Sequence, residues 1–579
     1  MRKITLNETP RPQFVRQNYT SLDGVWDFRF DDEDNGEILN YQAGFEKEYD
    51  IKVPFAYQTP ASGINIQTRC DHVWYQRHIS IKKQEGKRYL LHLEGSDYIT
   101  KVYLNGKYVG RDIGCYHRET FDLTDFIDRE DNLLVIKCSD DYSTERPRGK
   151  QRWKDENFEC FYVDTTGLYK TVWMEEVSDT YLNTVKITPN FNKKNVEFIF
   201  DVLNIKKNSL LVRITYEGKL INEKEIKVHP DKENRMVLSL GEEIYPWEVG
   251  DAKLYDVEFI LKDKENIIDE VSSYFGLRKI EAKKGQIYLN GHVLYQRLVL
   301  DQGYYLEGHL TQINNEQLLK DITLMQEAGF NGCRKHEKVE DERFLYYADI
   351  LGYLMWSEMP SMYTCTAKAR QTFEKEWMRT MKQQYNHPCV ITWTIFNESW
   401  GIPNVKTNKV EQDFAVRMYN ITREYDKTRF IQVNDGWDHT VSDIASIHHY
   451  EQDPELFRSC FDRKSKITGK KFKRHSRSLM CDGYKYKGQP FMFTEFGGTA
   501  YEGATKGTRN WGYGTSVKDD EDFLARFGGL IKAINSYPYS CGYCYTQLSD
   551  VQQEVNGLLY ENRTPKIPLA KIKEILDER

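Results

Sequence analysis

The sequence predicts a multidomain protein: an N-terminal β-sandwich, then an immunoglobulin-like β-sandwich, then a C-terminal (β/α)8 barrel. Three observations predict it. The chain has 579 residues, enough for roughly three or four domains at ~150 residues each. Up to about residue 277 its apolar residues fall in short alternating runs, the period-2 pattern of half-buried strands. Beyond Gly276 strand-like runs alternate with helical ones, which is the sequence form of a parallel α/β domain.

Residues 1–178 read as strands through GVWDFRF, HVWYQRHISI, RYLLHLEG, ITKVYLNGKYVG and NLLVIKCSD. Asn105-Gly106 separates two of these runs, and because both residues tolerate positive φ a two-residue hairpin turn is expected there. Residues 179–277 carry NVEFIFDVLN, LLVRITYEG and DVEFILKD, whose length and spacing suit an immunoglobulin-like sandwich. Residues 278–579 hold eight strand candidates: LYQRLVL (294–300), FNGCRK (330–335), YLMWSE (353–358), VITWTIF (390–396), RFIQVN (429–434), IASIHHY (444–450), PFMFTE (490–495) and CGYCYTQL (541–548). Helical candidates such as NEQLLKDITLMQEAG and DERFLYYADILG lie between them and end at Gly, as helix C-termini prefer. In such a barrel catalytic groups sit at the C-terminal ends of the strands.

Composition excludes several classes. The net charge is −7, with 29% charged and 40% hydrophobic residues, an ordinary globular balance that argues against a dedicated nucleic-acid binder. No stretch approaches the ~18 consecutive apolar residues of a membrane helix, and MRKITLNETPRPQ lacks the apolar core of a signal peptide. Eleven scattered cysteines argue for reduced thiols rather than a secreted disulfide framework. A cytoplasmic protein is expected. Aromatic residues make up 13% of the chain, which fits either sugar binding or aromatic-rich cores.

Polar residues recur at the strand ends: Arg334, Glu358, Asn397-Glu398, Asn434-Asp435, His448 to Tyr450, Glu495, Gln547 and Asp550. Two are glutamates after strongly apolar strands, VITWTIF-Asn-Glu398 and PFMFT-Glu495. A carboxylate pair at a dry barrel mouth can divide into acid and nucleophile, because burial and neighbours set each pKa. Cleavage of a glycosidic bond needs that pair. For one glutamate alone, pairing with a nearby Arg is the plainer reading. For two, after the fourth and seventh strands, the chemical reading is preferred.

These stretches resemble glycoside hydrolase family 2, the family of β-galactosidases, β-glucuronidases and β-mannosidases. In the front domain SLDGVWDFRFD, VWYQRHI, VYLNGKYVGRDIG, FDLTDFI and TTGLYKTVWMEEV are similar to its sugar-binding jelly roll. In the barrel GFNGCRKH, DILGYLMWSEMP, NHPCVITWTIFNES and PFMFTEFGG follow the family's order and spacing. The resemblance implies Glu398 as acid/base, Asn397 as the partner of the sugar 2-hydroxyl, and Glu495 as nucleophile. It implies Arg334 as the cation beside that nucleophile. Tyr450 would hydrogen-bond the nucleophile or pack the barrel mouth, and His448 would meet a sugar hydroxyl or be satisfied by backbone. His336, which ends the GFNGCRKH stretch, and Glu358, Gln547 and Asp550 are expected on the substrate side.

Departures from the family pattern shape the expectations. Glu358-Met359-Pro360 lacks the His of the family's Glu-x-His magnesium pair, so no metal and no cofactor are expected. Asn556-Gly557-Leu558 stands where glucuronidases carry Asn-x-Lys, which argues against a uronic acid. Lys335, one residue beyond Arg334 on the strand, should point to the other face. Tyr543 and Tyr545 stand in for the Trp that commonly floors the sugar site, and Phe161 stands where relatives place an Asp, with Glu159 and Asp164 nearby. Cys541 and Cys544, three apart on one strand, should face opposite ways and not chelate a metal. The basic stretch RKSKITGKKFKRHSR (463–477) reads as a solvated loop or an anion-binding one. Arg146 to Gln151 is either a border of the active site or a solvated turn. The expected function is a retaining exo-β-glycosidase acting on a carbohydrate partner, with β-galactosidase first and β-glucuronidase or β-galacturonidase second. A non-catalytic carbohydrate-binding protein is the alternative of another class, and a homo-oligomer is left open.

Overall fold

The computed structural model describes residues 8–462 and 477–578. Its front region packs a four-stranded sheet (Tyr19–Ser21, Val172–Ser178, Lys87–Leu93, Glu119–Asp122) on a six-stranded one (Tyr49–Val53, Gly24–Phe30, His72–Ser80, Asp131–Ser139, Ile99–Leu104, Lys107–Ile113). Trp26, Phe28, Tyr75, Leu91 and Ile136 bury their side chains in the core of this sandwich. The expected hairpin forms: Asn105 (φ 52) and Gly106 (φ 78) join Ile99–Leu104 to Lys107–Ile113, with Leu104 opposite Lys107.

The second sandwich sets three strands (Tyr181–Asn190, Asn195–Leu203, Asn234–Ser239) against four (Lys219–Lys227, Asn208–Tyr216, Tyr255–Asp263, Asn266–Phe275). Alternation decides which side is buried: along Asn195–Leu203 it is Val196, Phe198, Phe200 and Val202 that turn inward. Arg16 ties the two sandwiches, with Glu175 of the first at 2.9 Å and Asp269 of the second at 2.8 Å. Arg278 donates to the Pro388 and Val390 carbonyls, fixing the second sandwich to the third region.

That third region is a parallel barrel of eight strands: β1 (Gln296–Asp301), β2 (Gly332–Lys335), β3 (Leu354–Glu358), β4 (Val390–Asn397), β5 (Phe430–Asp435), β6 (Ala445–His448), β7 (Phe491–Glu495) and β8 (Ser540–Tyr545). All eight fall on the runs read from sequence. Backbone pairing runs continuously from β5 back through β1 and on through β8 to β6. Between β5 and β6 side chains bridge instead: the Ser446 hydroxyl joins Gln432 and Asp435, each at 2.5 Å. The two helical runs form Asn315–Glu327 and Glu342–Leu351, the latter closed by Gly352 at φ 65. Cys541 and Cys544 diverge as expected. Cys541 Sγ donates to the Gly285 carbonyl, whereas Cys544 sits in the field of Arg334 and Glu495. The basic stretch lies outside the described residues except for Arg477, which pairs with Asp438 at 3.5 Å.

Candidate active site

A narrow cleft opens at the C-terminal ends of the strands. Glu495 closes β7, and each of its oxygens accepts one strong hydrogen bond: Oε1 from Arg334 NH1 at 2.9 Å and Oε2 from the Tyr450 hydroxyl at 2.5 Å. Burial would raise its carboxyl, but His448, Arg334 and the Tyr450 hydroxyl bring it below its ordinary value. Glu398 follows β4 with φ 50, a left-handed conformation uncommon outside glycine and typical of strained functional turns. Its backbone is pinned there, because Glu398 N donates to the Asp435 carbonyl and Ser399 N to the Asn434 side chain. One side-chain oxygen of Glu398 and one of Glu495 lie within 4.8 Å of each other.

Behind the pair, Arg334 is fully buried and meets six partners, among them the Thr494 carbonyl at 3.2 Å and His336 Nδ1 at 3.1 Å. Nε donates to Glu358 at 2.6 Å, NH1 to Glu495 and, at 3.1 Å, to Asp435, and NH2 to Asn397 Oδ1 at 2.7 Å. Burial disfavours the cation, but Glu358, Asp435 and Glu495 together hold it charged. His448 bridges the two glutamates, with Nδ1 2.7 Å from Glu398 and 3.4 Å from Glu495, while Nε2 meets Asp435 at 3.1 Å. Its burial is outweighed by Glu495 and Asp435, which raise its pKa to about 10, so it is an imidazolium at neutral pH. Glu398, His448 and Glu495 are also the group of described residues close enough to share a metal ion, yet a protonated imidazole has no lone pair to give.

The structure brings Glu398, Glu495, Asn397, His336, Tyr450 and Gln547 to the cleft lining. Arg334, Glu358 and His448 stand directly behind it. Asp550 is not brought there: it pairs with Lys566 at 2.6 Å and accepts from Gly557 N, so it fixes the loop after β8. Tyr543 and Tyr545 face outward too, packing edge-on against Phe496, and neither floors the cleft. Their period-2 partner Cys544 takes the inward position. Lys335 is directed away and held by Asp301 at 2.6 Å and Glu340 at 2.7 Å. Lys338 donates to the Gly303 carbonyl and pairs with Glu340.

Sequence reasoning missed other lining residues. Trp400 lies two residues beyond Glu398, and Tyr513 stacks on Tyr450 at 3.5 Å. Glu554 also escaped selection, and Asp435, noted at its strand end but given no role, lies behind the cleft on Arg334 and His448. The loop of the front domain does border the site, through Lys150 and Cys160. Gly149 makes this approach fit: at φ 60 it lies so close to the barrel that a Cβ would sit 2.5 Å from the Glu337 carbonyl oxygen. The Arg148 and Gly149 amides donate to the Ser361 carbonyl, and the Tyr363 hydroxyl donates to the Gly149 carbonyl. Phe161 joins an aromatic group with Trp153 at 4.4 Å and Trp400 at 5.9 Å. Asp164 is spent on Arg152 at 2.9 Å.

Family models match along most of the chain: the sugar binding domain of glycosyl hydrolases family 2 over residues 19–158, a second domain of that family over 180–278, and its TIM barrel domain over 280–578. The chain is 25% identical over 380 residues to a beta-galactosidase of Thermoanaerobacter pseudethanolicus, covering 62% of this chain and 47% of that protein. It is 21% identical over 421 residues to a beta-glucuronidase of Streptococcus agalactiae, covering 66% and 67%. The chain spans about half the length of most of the curated relatives it matches. The crystal structure of Ruminococcus gnavus beta-glucuronidase superposes with a TM-score of 0.79 at 18% identity over 98% of each chain, which shows a shared fold. From the three domain matches in order, over more than half its length, the chain belongs to glycosyl hydrolase family 2.

Proposed function

We propose that the protein is a retaining exo-β-glycosidase that removes a terminal neutral β-linked sugar, with β-galactosides first. One observation carries the mechanism: two carboxylates at the ends of β4 and β7 approach within 4.8 Å. Retaining enzymes hold their carboxyl groups ~5–5.5 Å apart and inverting enzymes ~6.5–9.5 Å to admit a water, and so close an approach of one oxygen from each glutamate supports the retaining arrangement. Their surroundings divide the roles. Glu495, gripped by Arg334 and Tyr450 and held ionised, attacks the anomeric carbon as the glycosidic C–O bond breaks. Glu398, whose side chain is 19% exposed, gives its proton to the leaving oxygen. In the second step it takes a proton from water, and that water's oxygen displaces Glu495. Asn397 accepts from Arg334 through Oδ1, which turns its amide NH₂ toward the sugar 2-hydroxyl.

A reducing, cytoplasmic setting fits eleven free thiols, and no described helix is long and apolar enough to cross a membrane. A β-glucuronidase is the second reading, favoured by the Ruminococcus gnavus likeness. The experiment is reaction with a 2-deoxy-2-fluoro β-glycoside followed by peptide mass mapping. A stable adduct on Glu495 is expected, and an adduct elsewhere overturns the assignment.

A further inference from the structure

Two charged side chains on the cleft wall lie near opposite charges without pairing directly with them. Lys150 arrives from the front-domain loop, is 5% exposed, and lies 5.0 Å over the Trp400 ring. Glu554 arrives from the loop after β8 and is 2% exposed. Among the described residues neither forms an ion pair, although both line the same cleft as Glu398 and Glu495. A buried charge without a counter-charge is costly unless hydrogen bonds satisfy it. Glu554 is held in place by neutral donors: the Tyr162 hydroxyl and Gln302 reach Oε2, and Asn556 Nδ2 reaches Oε1 at 3.2 Å. Asn556 is itself gripped by Gln547 at 2.6 Å, and Gln547 by Gln302 at 2.7 Å. This chain of amides aims a carboxylate into the cleft, and Asn556 stands behind it rather than facing a sugar.

We propose that Lys150 and Glu554 form a clamp for hydroxyl groups of a neutral sugar, and that Glu554 excludes a sugar carboxylate. The proposal rests on the glycosidase reading and specifies its substrate class. An ammonium offers only donors and a carboxylate only acceptors, so together they match hydroxyls, which do both. A uronate would meet Glu554 in addition to Glu495. Lys150 does not offset this, because Cys160, Glu554, Glu495 and Glu337 already surround it and raise its pKa despite burial. The other cations are spent as well: Arg334 and His448 on Glu358, Asp435, Glu398 and Glu495, and Lys335 and Lys338 on Asp301 and Glu340.

The test measures kcat/KM for p-nitrophenyl β-galactoside, β-glucoside, β-mannoside and β-glucuronide, and for the 3-, 4- and 6-deoxy analogues of the fastest neutral glycoside. Enzymes are the wild type, Lys150→Met, Glu554→Gln and Glu554→Lys. The wild type is expected to prefer a neutral glycoside to the glucuronide by at least about tenfold. Lys150→Met and Glu554→Gln should each cost about 10- to 100-fold on that glycoside, the scale of a charge-assisted hydrogen bond. For each variant one deoxy analogue should lose this sensitivity, which a merely structural role would not produce. Glu554→Lys should shift the preference toward the glucuronide; if it does not fold, the isosteric Glu554→Gln decides alone. A wild-type preference for the glucuronide that vanishes in Lys150→Met would refute the clamp and make Lys150 a carboxylate grip. Variants within twofold of wild type on every substrate would also refute it, leaving the glycosidase reading intact. Failure of that reading shows separately, as a wild type that neither hydrolyses any of these glycosides nor is labelled on Glu495.

Discussion

Arg334, Asn397, Glu398, His448 and Glu495 build the cleft and its back wall from the C-terminal ends of barrel strands β2, β4, β6 and β7, whereas Lys150 and Cys160 reach it from an irregular loop of another domain. The strand-end residues fix one another: Arg334 alone joins Glu358, Asp435, Asn397 and Glu495. The loop is held by a network of its own, with Arg146 and Arg148 on Asp140 and Arg152 on Asp164, and it is fastened to the barrel where Gln553 donates to the Glu159 and Phe161 carbonyls and where Gly149 meets Ser361 and Tyr363. The difference teaches a division of labour. Parallel strands set interatomic distances to tenths of an ångström and suit bond-breaking groups, while a loop can change its side chains without disturbing them and suits selection of the sugar.

The largest expected effect tests the strand-end wall at its centre. Glu495→Gln keeps the shape but removes the nucleophile, so kcat should fall by about 10⁴-fold or more, with thermal unfolding near that of wild type. An active variant would break the comparison at once. Next comes Glu398→Ala. It should slow a poor leaving group by about 10²- to 10⁴-fold yet spare one that departs without protonation, such as 2,4-dinitrophenolate. Equal losses on both leaving groups would remove Glu398 from the acid role.

How much of this was legible in the sequence follows the same division. The eight strands were readable because each is an apolar run with a polar terminus, and the strand-end rule then singled out Glu398, Glu495 and Arg334. The hairpin at Asn105-Gly106 was readable because its turn chemistry is local. Lys150 was not, since nothing in RPRGKQ says which neighbour the loop packs on; that depends on Gly149 approaching Glu337, residues far apart in the chain. Glu554 stayed hidden for a related reason. Attention fell on Asn556, yet the amide chain through Gln547 and Gln302 turns Asn556 back and Glu554 forward. Asp550 and Tyr545 erred the other way: a polar or aromatic residue near a strand end was counted without knowing which way it pointed. Asp435 ended a strand but took meaning only from its partners Arg334 and His448.

A third prediction sharpens the strand-end wall through pH. His448 is held protonated to about 10 by Glu495 and Asp435. A histidine whose folded pKa is raised above its unfolded value of ~6.5 contributes its full stability below that value and loses it as pH rises through the folded one. Thermal stability of the wild type should therefore decline as pH rises from ~6.5 through about 10. His448→Asn should be about 10- to 100-fold slower at neutral pH, as expected for loss of a buried charged hydrogen bond, and should lack this alkaline decline. An unchanged alkaline limb in the variant would assign it to another group.

The smallest expected effect concerns metal, and here the comparison turns on how fully the strand-end wall satisfies itself. Glu398, His448 and Glu495 bring ligand-type atoms within 4.8 Å, so geometry alone admits an ion. Charge argues otherwise. The imidazolium of His448 lies against both carboxylates, and Arg334 occupies Glu495 Oε1 and Glu358 Oε2 at 2.9 and 2.6 Å. Two cations already hold the places a divalent ion would take, and Glu358, the carboxylate of the Glu-Met-Pro stretch, is committed to Arg334, His336 and the Glu337 amide. Magnesium binds such sites through several free oxygens or a substrate phosphate, and neither is offered here. Dialysis against EDTA should therefore change kcat/KM by less than about twofold, near the noise of such measurements and well below the tenfold that 1.4 kcal/mol represents. A larger loss that magnesium restores and sodium does not would mean that the arginine and histidine give way to an ion.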